Sequence, residues 1–248
     1  MSNRISLILY LVSIFISLTS ISCVKNETPE NCFGDIIKDT TNSFCTAGAC
    51  VSVVKGDFTI SQKSQNLLKA MCNKEGSIYN FKNDKGDLKE LKLKQKFNTE
   101  INVEFSSLFY CPADKRKPIS YCCKIQSMGL TLTESKSDVE LVIIISTEPD
   151  ISQPPGKLGD FLTILRGNTS GFGYTEELKI IIDQKSLSND KVLDQEFYPS
   201  LKIGALEYKG VHSMDVTGFM GGVYKYYINE DKGLIAFKDE DEILWIRN

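Results

Sequence analysis

From residue 51 onward the chain alternates apolar and polar positions over short stretches rich in β-branched and aromatic residues, the period-2 signature of strands with one buried face. The stretches 51–60, 88–97, 101–110, 119–133 and 138–147 come first, with polar breaks at Asn83-Asp84-Lys85-Gly86 and Ser135-Lys136-Ser137. Then follow 161–167, 198–211, 223–229, 233–239 and 242–248. Strands at this density predict a mainly β fold, an antiparallel meander forming a sandwich or partly open barrel with one short helix. That helix falls at Ser61–Asn73, where Leu67, Leu68 and Met71 share a stripe and Ser61 or Ser64 can cap the start. Glu176–Lys185 fits a short helix or a strand equally. In 223–248, two acidic turns separate three strands, and Tyr224, Tyr226, Tyr227, Phe237 and Trp245 are placed for cross-strand packing.

Residues 1–22 follow another pattern. Arg4 precedes an apolar run from Ile5 to Leu18, broken only by Ser6, Ser13 and Ser17, and small polar residues close it. The run is shorter than the roughly 20 residues a membrane-crossing helix needs, and its order is that of a secretory signal peptide. The next four positions, Ser20-Ile21-Ser22-Cys23, resemble the lipobox of bacterial lipoproteins, which implies a lipid on Cys23. Ordinary cleavage after Ser22, leaving Cys23 for a disulfide, is the alternative. Residues 23–48 lack apolar periodicity and read as a tether. Residues 49–248 are expected to form a single β-rich domain. The proline-rich stretch 148–160 is the best internal boundary, but composition does not shift across it.

Residues 201–248, in which an aromatic strand precedes Gly233-Leu234-Ile235-Ala236-Phe237 and a last strand bears Trp245, resemble the endings of exported Bacteroidetes proteins of uncharacterised role. The likeness implies a cell-envelope lipoprotein of the outer membrane, facing either periplasm or surface, and carries no activity with it. Asp39-Thr40-Thr41 resembles O-glycosylation sites of that lineage, which makes Thr40 a candidate for sugar attachment.

There are eight cysteines, at 23, 32, 45, 50, 72, 111, 122 and 123. Export permits disulfides, and the absence of CxxC pairs or a nearby histidine favours structural bridges over zinc or redox chemistry. The polar stretch 112–120 reads as a loop between strands that would bring Cys111 near Cys122 and Cys123, of which only one can meet it while the other faces away, and the exact pairs stay open. Cys32, Cys45, Cys50 and Cys72 then form an amino-terminal group that staples the tether to the domain. Lipidation of Cys23 would leave seven cysteines, an odd number, and parity therefore weighs against it.

Charge and composition narrow the function. A formal net charge of -3 offers no excess of cations for a phosphate backbone, so nucleic acid is not an expected partner. The single histidine, His212, removes most triads and histidine-rich metal sites, and its neighbour Ser213 would face the opposite side of a strand. Asp239-Glu240-Asp241-Glu242 lacks the spaced ligands and bend glycine of a calcium loop and reads as a solvated turn. No catalytic residue, metal or cofactor is assigned. The expected role is binding or structural, with the membrane as partner through the lipid and a protein or glycan partner of unknown identity. A hydrolase using two carboxylates, or an adhesion module exposing Tyr224, Tyr226 or Phe219, are the alternatives.

Overall fold

Two β-meanders are built from the alternating stretches, and a two-residue seam joins them into one sheet. The computed structural model describes residues 33–38, 49–53, 58–149, 158–168, 174–183, 196–217 and 223–248. All belong to one compact unit, Cys32–Asn248. The first meander comprises β3 (Ile78–Lys82), β4 (Leu88–Cys111), β5 (Asp114–Glu134), β6 (Val139–Pro149), β7 (Leu158–Asn168) and β8 (Tyr174–Asp183). The second comprises β9 (Glu196–Ile203), β10 (Leu206–Thr217), β11 (Val223–Asn229), β12 (Gly233–Lys238) and β13 (Leu244–Arg247). At the seam, Ile246 pairs with Lys82 and Arg247 with Phe81. Two short strands add parallel bridges: β1 (Ile37–Lys38) to Thr99 and Glu100, β2 (Val51–Val53) to Ser120, Tyr121 and Cys122. The sheet curls into a half-barrel, and β8 approaches β10.

Helix α1 (Gln62–Lys69) fills the curl, against β6, β8 and β12. Ser61 caps it, its hydroxyl accepting from the Ser64 amide. The Ser61 amide donates to Asp160 Oδ2 at 2.8 Å, and Thr147 Oγ1 donates to Asp160 Oδ1 at 2.6 Å, so β6 and β7 hold the helix start. Leu67, Leu68 and Met71 are buried with Leu93, Leu130, Ile143 and Leu234 in the main core. Gly233 opens β12 at φ 68°, where a Cβ would lie 2.3 Å from Met71 Cγ, so only glycine lets this turn reach the end of the helix.

Several expectations need correction. The run 198–211 is a hairpin, because Gly204 at φ 60° turns the chain and Ile203 pairs with Leu206. The stretches 88–97 and 101–110 are one 24-residue strand: Asn98, where a break was expected, is buried, donating to the Gly34 carbonyl and accepting from Gln126 Nε2. Residues 112–120 are mostly strand, since β5 restarts at Asp114 after a two-residue turn. Glu176–Lys185 falls largely in strand β8. Ile37 and Lys38, inside the stretch read as tether, join the sheet edge-on to β4. Either side of the stretch 148–160, β6 and β7 pair in register from Pro149↔Leu158 to Val139↔Asn168.

Leu68→Ala, at a fully buried site, should lower unfolding free energy by about 2–5 kcal/mol in urea titration. Gly233→Ala should cost at least ~1 kcal/mol from the left-handed backbone alone, and Met71→Ala should recover part of the further loss that the Met71 clash adds.

Candidate functional site

The meander seam positions the candidate sites, one on each face. On the inner face, Tyr226, Phe237 and Trp245 lie in register across β11, β12 and β13, as the aromatic pattern predicts. Phe81 of β3 meets Phe237 edge-on with centroids 5.2 Å apart. Tyr226 is buried, which removes it from any exposed adhesive patch; Tyr224's side chain and Phe219 lie outside the described set.

Asp239 closes this side of the seam. It is buried rather than solvated as expected, while Glu240, Asp241 and Glu242 are exposed. Its Oδ2 accepts from Trp245 Nε1 at 2.7 Å and Lys89 Nζ at 2.9 Å, and its Oδ1 accepts from the Ile243 amide at 3.1 Å. The Lys89 ammonium also lies 4.4 Å from the Trp245 ring centroid. Burial pushes the Asp239 pKa up, but the Lys89, Trp245 and Ile243 donors outweigh it and hold the carboxyl below its ordinary value.

Glu134 and Asp239 line one cavity with Lys89 and Arg166, one place where two carboxylates come together. The cavity is about 40 Å³, room for one or two waters. A general acid needs a raised pKa, and Asp239 is held in the opposite direction. No cluster of three or more metal-ligating side chains occurs among the described residues.

His212 is buried on β10 and Ser213 faces the other side, as strand alternation requires. His212 Nε2 sits 3.4 Å from Glu230 Oε1, Ser213 Oγ donates to Glu196, and the two never meet. The histidine is only half satisfied, since its buried Nδ1 has no partner. Burial lowers its pKa against the opposing pull of Glu230, which favours the neutral ring.

On the outer face the β9–β10 hairpin leans over β13. Gly204 comes so close that a Cβ there would lie 2.7 Å from Ile246 Cδ1. Ile203, Tyr208, Val211, Ile235 and Ala236 form a second, smaller core beneath, flanked by Leu244 and Ile246. Beside it opens a groove of about 730 Å³, floored by Ile203, Leu206, Leu244 and Ile246 and edged by Lys82, Lys85, Arg247, Asp84 and Glu242. A neighbouring hollow of about 340 Å³ shares Leu206, Arg247 and Asn248 with it. Leu206 is 53% exposed at their junction. Arg247 is fixed 4.8 Å over the Tyr79 ring and donates to the Lys232 carbonyl at 2.8 Å. A mostly apolar groove of this size with a few fixed polar groups is the form expected of a ligand site.

The cysteines pair differently from expectation. Cys50 is bonded to Cys111, Cα–Cα 5.3 Å. Cys111 does not meet Cys122 or Cys123, because the tight turn sets it opposite Asp114 while Cys122 and Cys123 lie opposite Glu104 and Val103. Cys50 therefore leaves the expected amino-terminal group and crosses to the β4–β5 hairpin. Cys72 and Cys122 are also disulfide-bonded. Cys123 is a buried free thiol beside Phe58 and Ile125, its pKa pushed up to about 11 by burial and then by Glu148. Cys23, Cys32, Cys45 and Thr40 lie outside the described residues. No protein-family model, curated protein or solved structure matches this chain.

Asp239→Ala should cost about 1.5–3 kcal/mol at pH 7. Because the folded-state pKa is depressed, that contribution is present above the unfolded pKa near 3.9 and is lost as pH falls through the folded value, so wild type and variant should converge in acid. For the groove, an anilinonaphthalene sulfonate dye should brighten with the native protein, and Leu206→Asp should remove most of that signal without shifting Tm. Equal brightening of both proteins would exclude the groove as the dye's site.

Proposed function

We propose that this chain is an exported cell-envelope lipoprotein of the Bacteroidetes type, anchored through Cys23, whose half-barrel domain acts by binding rather than catalysis. The cysteine census carries the reading. Of the five described cysteines, four are oxidised, as suits an exported protein, and Cys123 is a thiol. Whichever partners Cys72 and Cys122 take, pairing within the chain leaves an odd number of Cys23, Cys32 and Cys45 over. A lipid on Cys23 uses up that odd sulfur, so the parity that weighs against anchoring in the sequence now supports it.

The binding half of the reading is supported by the outer groove, which has volume and apolar floor, against an inner cavity with room for little but water. The partner then reaches the domain from the face opposite α1.

Mass spectrometry of the protein from its own membranes, with thiols alkylated before reduction, tests the anchor. The expected result is a lipid adduct on Cys23, three disulfides, and alkylation of Cys123 only after denaturation. An unmodified Cys23 within a disulfide would overturn the anchored reading.

A further inference from the structure

The β4–β5 hairpin runs on past the last β5–β6 pair at Ser127 as an arm flanked by β2, and its tip is irregular in a specific way. Cys111 pairs with Asp114, but the next pair is Tyr110 with Pro118. Lys115, Arg116 and Lys117 are thereby extruded from the ladder on one strand. Between Tyr110↔Pro118 and Ser106↔Ser120 the excess lies on the other strand, which carries Phe109. Bulges of this kind re-aim side chains. The result is a tip with three adjacent exposed cations, Arg116 92% and Lys117 71% exposed at the side chain, beside Phe109 at 44% and Tyr110 at 66%. Among the described residues Asp114 is the carboxylate paired with them, 3.3 Å from Arg116 and 4.0 Å from Lys117. The tip is cationic on a chain whose net charge is -3.

The chain's amino-terminal portion is fastened here. Cys50 is bonded to Cys111, and β2 pairs with β5 just below. Phe33 packs on the core, and β1 pairs with Thr99 and Glu100. From Cys23 to Phe33 the extended backbone spans at most ~35 Å. That is close to the ~40 Å of β4 between Thr99 and Cys111, so the leash and the arm have comparable reach.

We propose that the tip of the β4–β5 arm docks on a membrane surface of anionic lipid headgroups, with Lys115, Arg116 and Lys117 meeting the phosphates and Tyr110 and Phe109 seated at the interface. Adjacent cations next to aromatic rings are the chemistry that such a surface selects, cations for its negative potential and amphipathic rings for the headgroup layer. The inference rests on the anchored reading, since the leash through Cys23 is what keeps the tip at a membrane.

The test uses the exported chain with Cys23→Ser, so that no lipid masks the tip, sedimented with vesicles of phosphatidylglycerol and phosphatidylcholine. The protein should bind vesicles rich in phosphatidylglycerol, leave pure phosphatidylcholine, and dissociate at high salt. Each cation near such a surface should count about fivefold in partitioning, so K115Q/R116Q/K117Q should bind about a hundredfold more weakly. Tyr110→Ser should weaken binding with little change in its salt dependence. An intact Cys50–Cys111 bridge and unchanged Tm confirm that the variants fold. Equal binding of wild type and triple variant would overturn the proposal. So would absence of wild-type binding, which would hand the tip to a protein partner. A lipidated Cys23 with no vesicle binding sinks the tip alone, whereas an unmodified Cys23 sinks the anchor.

Discussion

The architecture depends on a seam of two residue pairs. Ile246↔Lys82 and Arg247↔Phe81 are all the ladder that joins the meanders, too little backbone to hold them by itself. Side chains supply the rest. Lys89 from one meander and Trp245 from the other both donate to Asp239, the Asn248 amide donates to the Asn80 carbonyl at 2.9 Å, and the Phe81 and Phe237 rings close the gap beneath. The joined, curled sheet surrounds α1 and buries its stripe of Leu67, Leu68 and Met71.

The same curl makes the two faces unlike. Inside, α1 and the aromatic row leave little space, so charged residues at the rim of the curl serve structure. Outside, the β9–β10 hairpin folds over β13 without sealing against it, and an apolar groove persists. A molecule organised in this way keeps its filled interior apart from its accessible outer groove.

Local chemistry was legible in the sequence. The Ser61 cap, the Leu67-Leu68-Met71 stripe and the terminal aromatic meander each depend on neighbours a few residues away, and the structure has them where the pattern puts them. What the pattern missed is set by distant partners. Asn98 looks like a break until Gln126 and Gly34 satisfy it, and Asp239 looks like a solvated acid until Lys89 arrives from 150 residues away. The groove was illegible for the same reason: its floor combines a hairpin tip with the last strand. Gly204, inside an otherwise continuous strand pattern, was the one available signal for the turn that builds it.

The Cys50–Cys111 bridge closes a 61-residue separation that contains α1, β3 and nearly all of β4. Tension entering from the amino terminus meets the Phe33 contact and then the parallel pairing of β1, both ahead of Cys50. Whatever passes them arrives at a covalent link and is delivered to the end of the arm. β2, α1 and the strands that follow lie beyond the bridge, so a pull that reaches Cys50 is carried into β4 and β5 rather than through the helix.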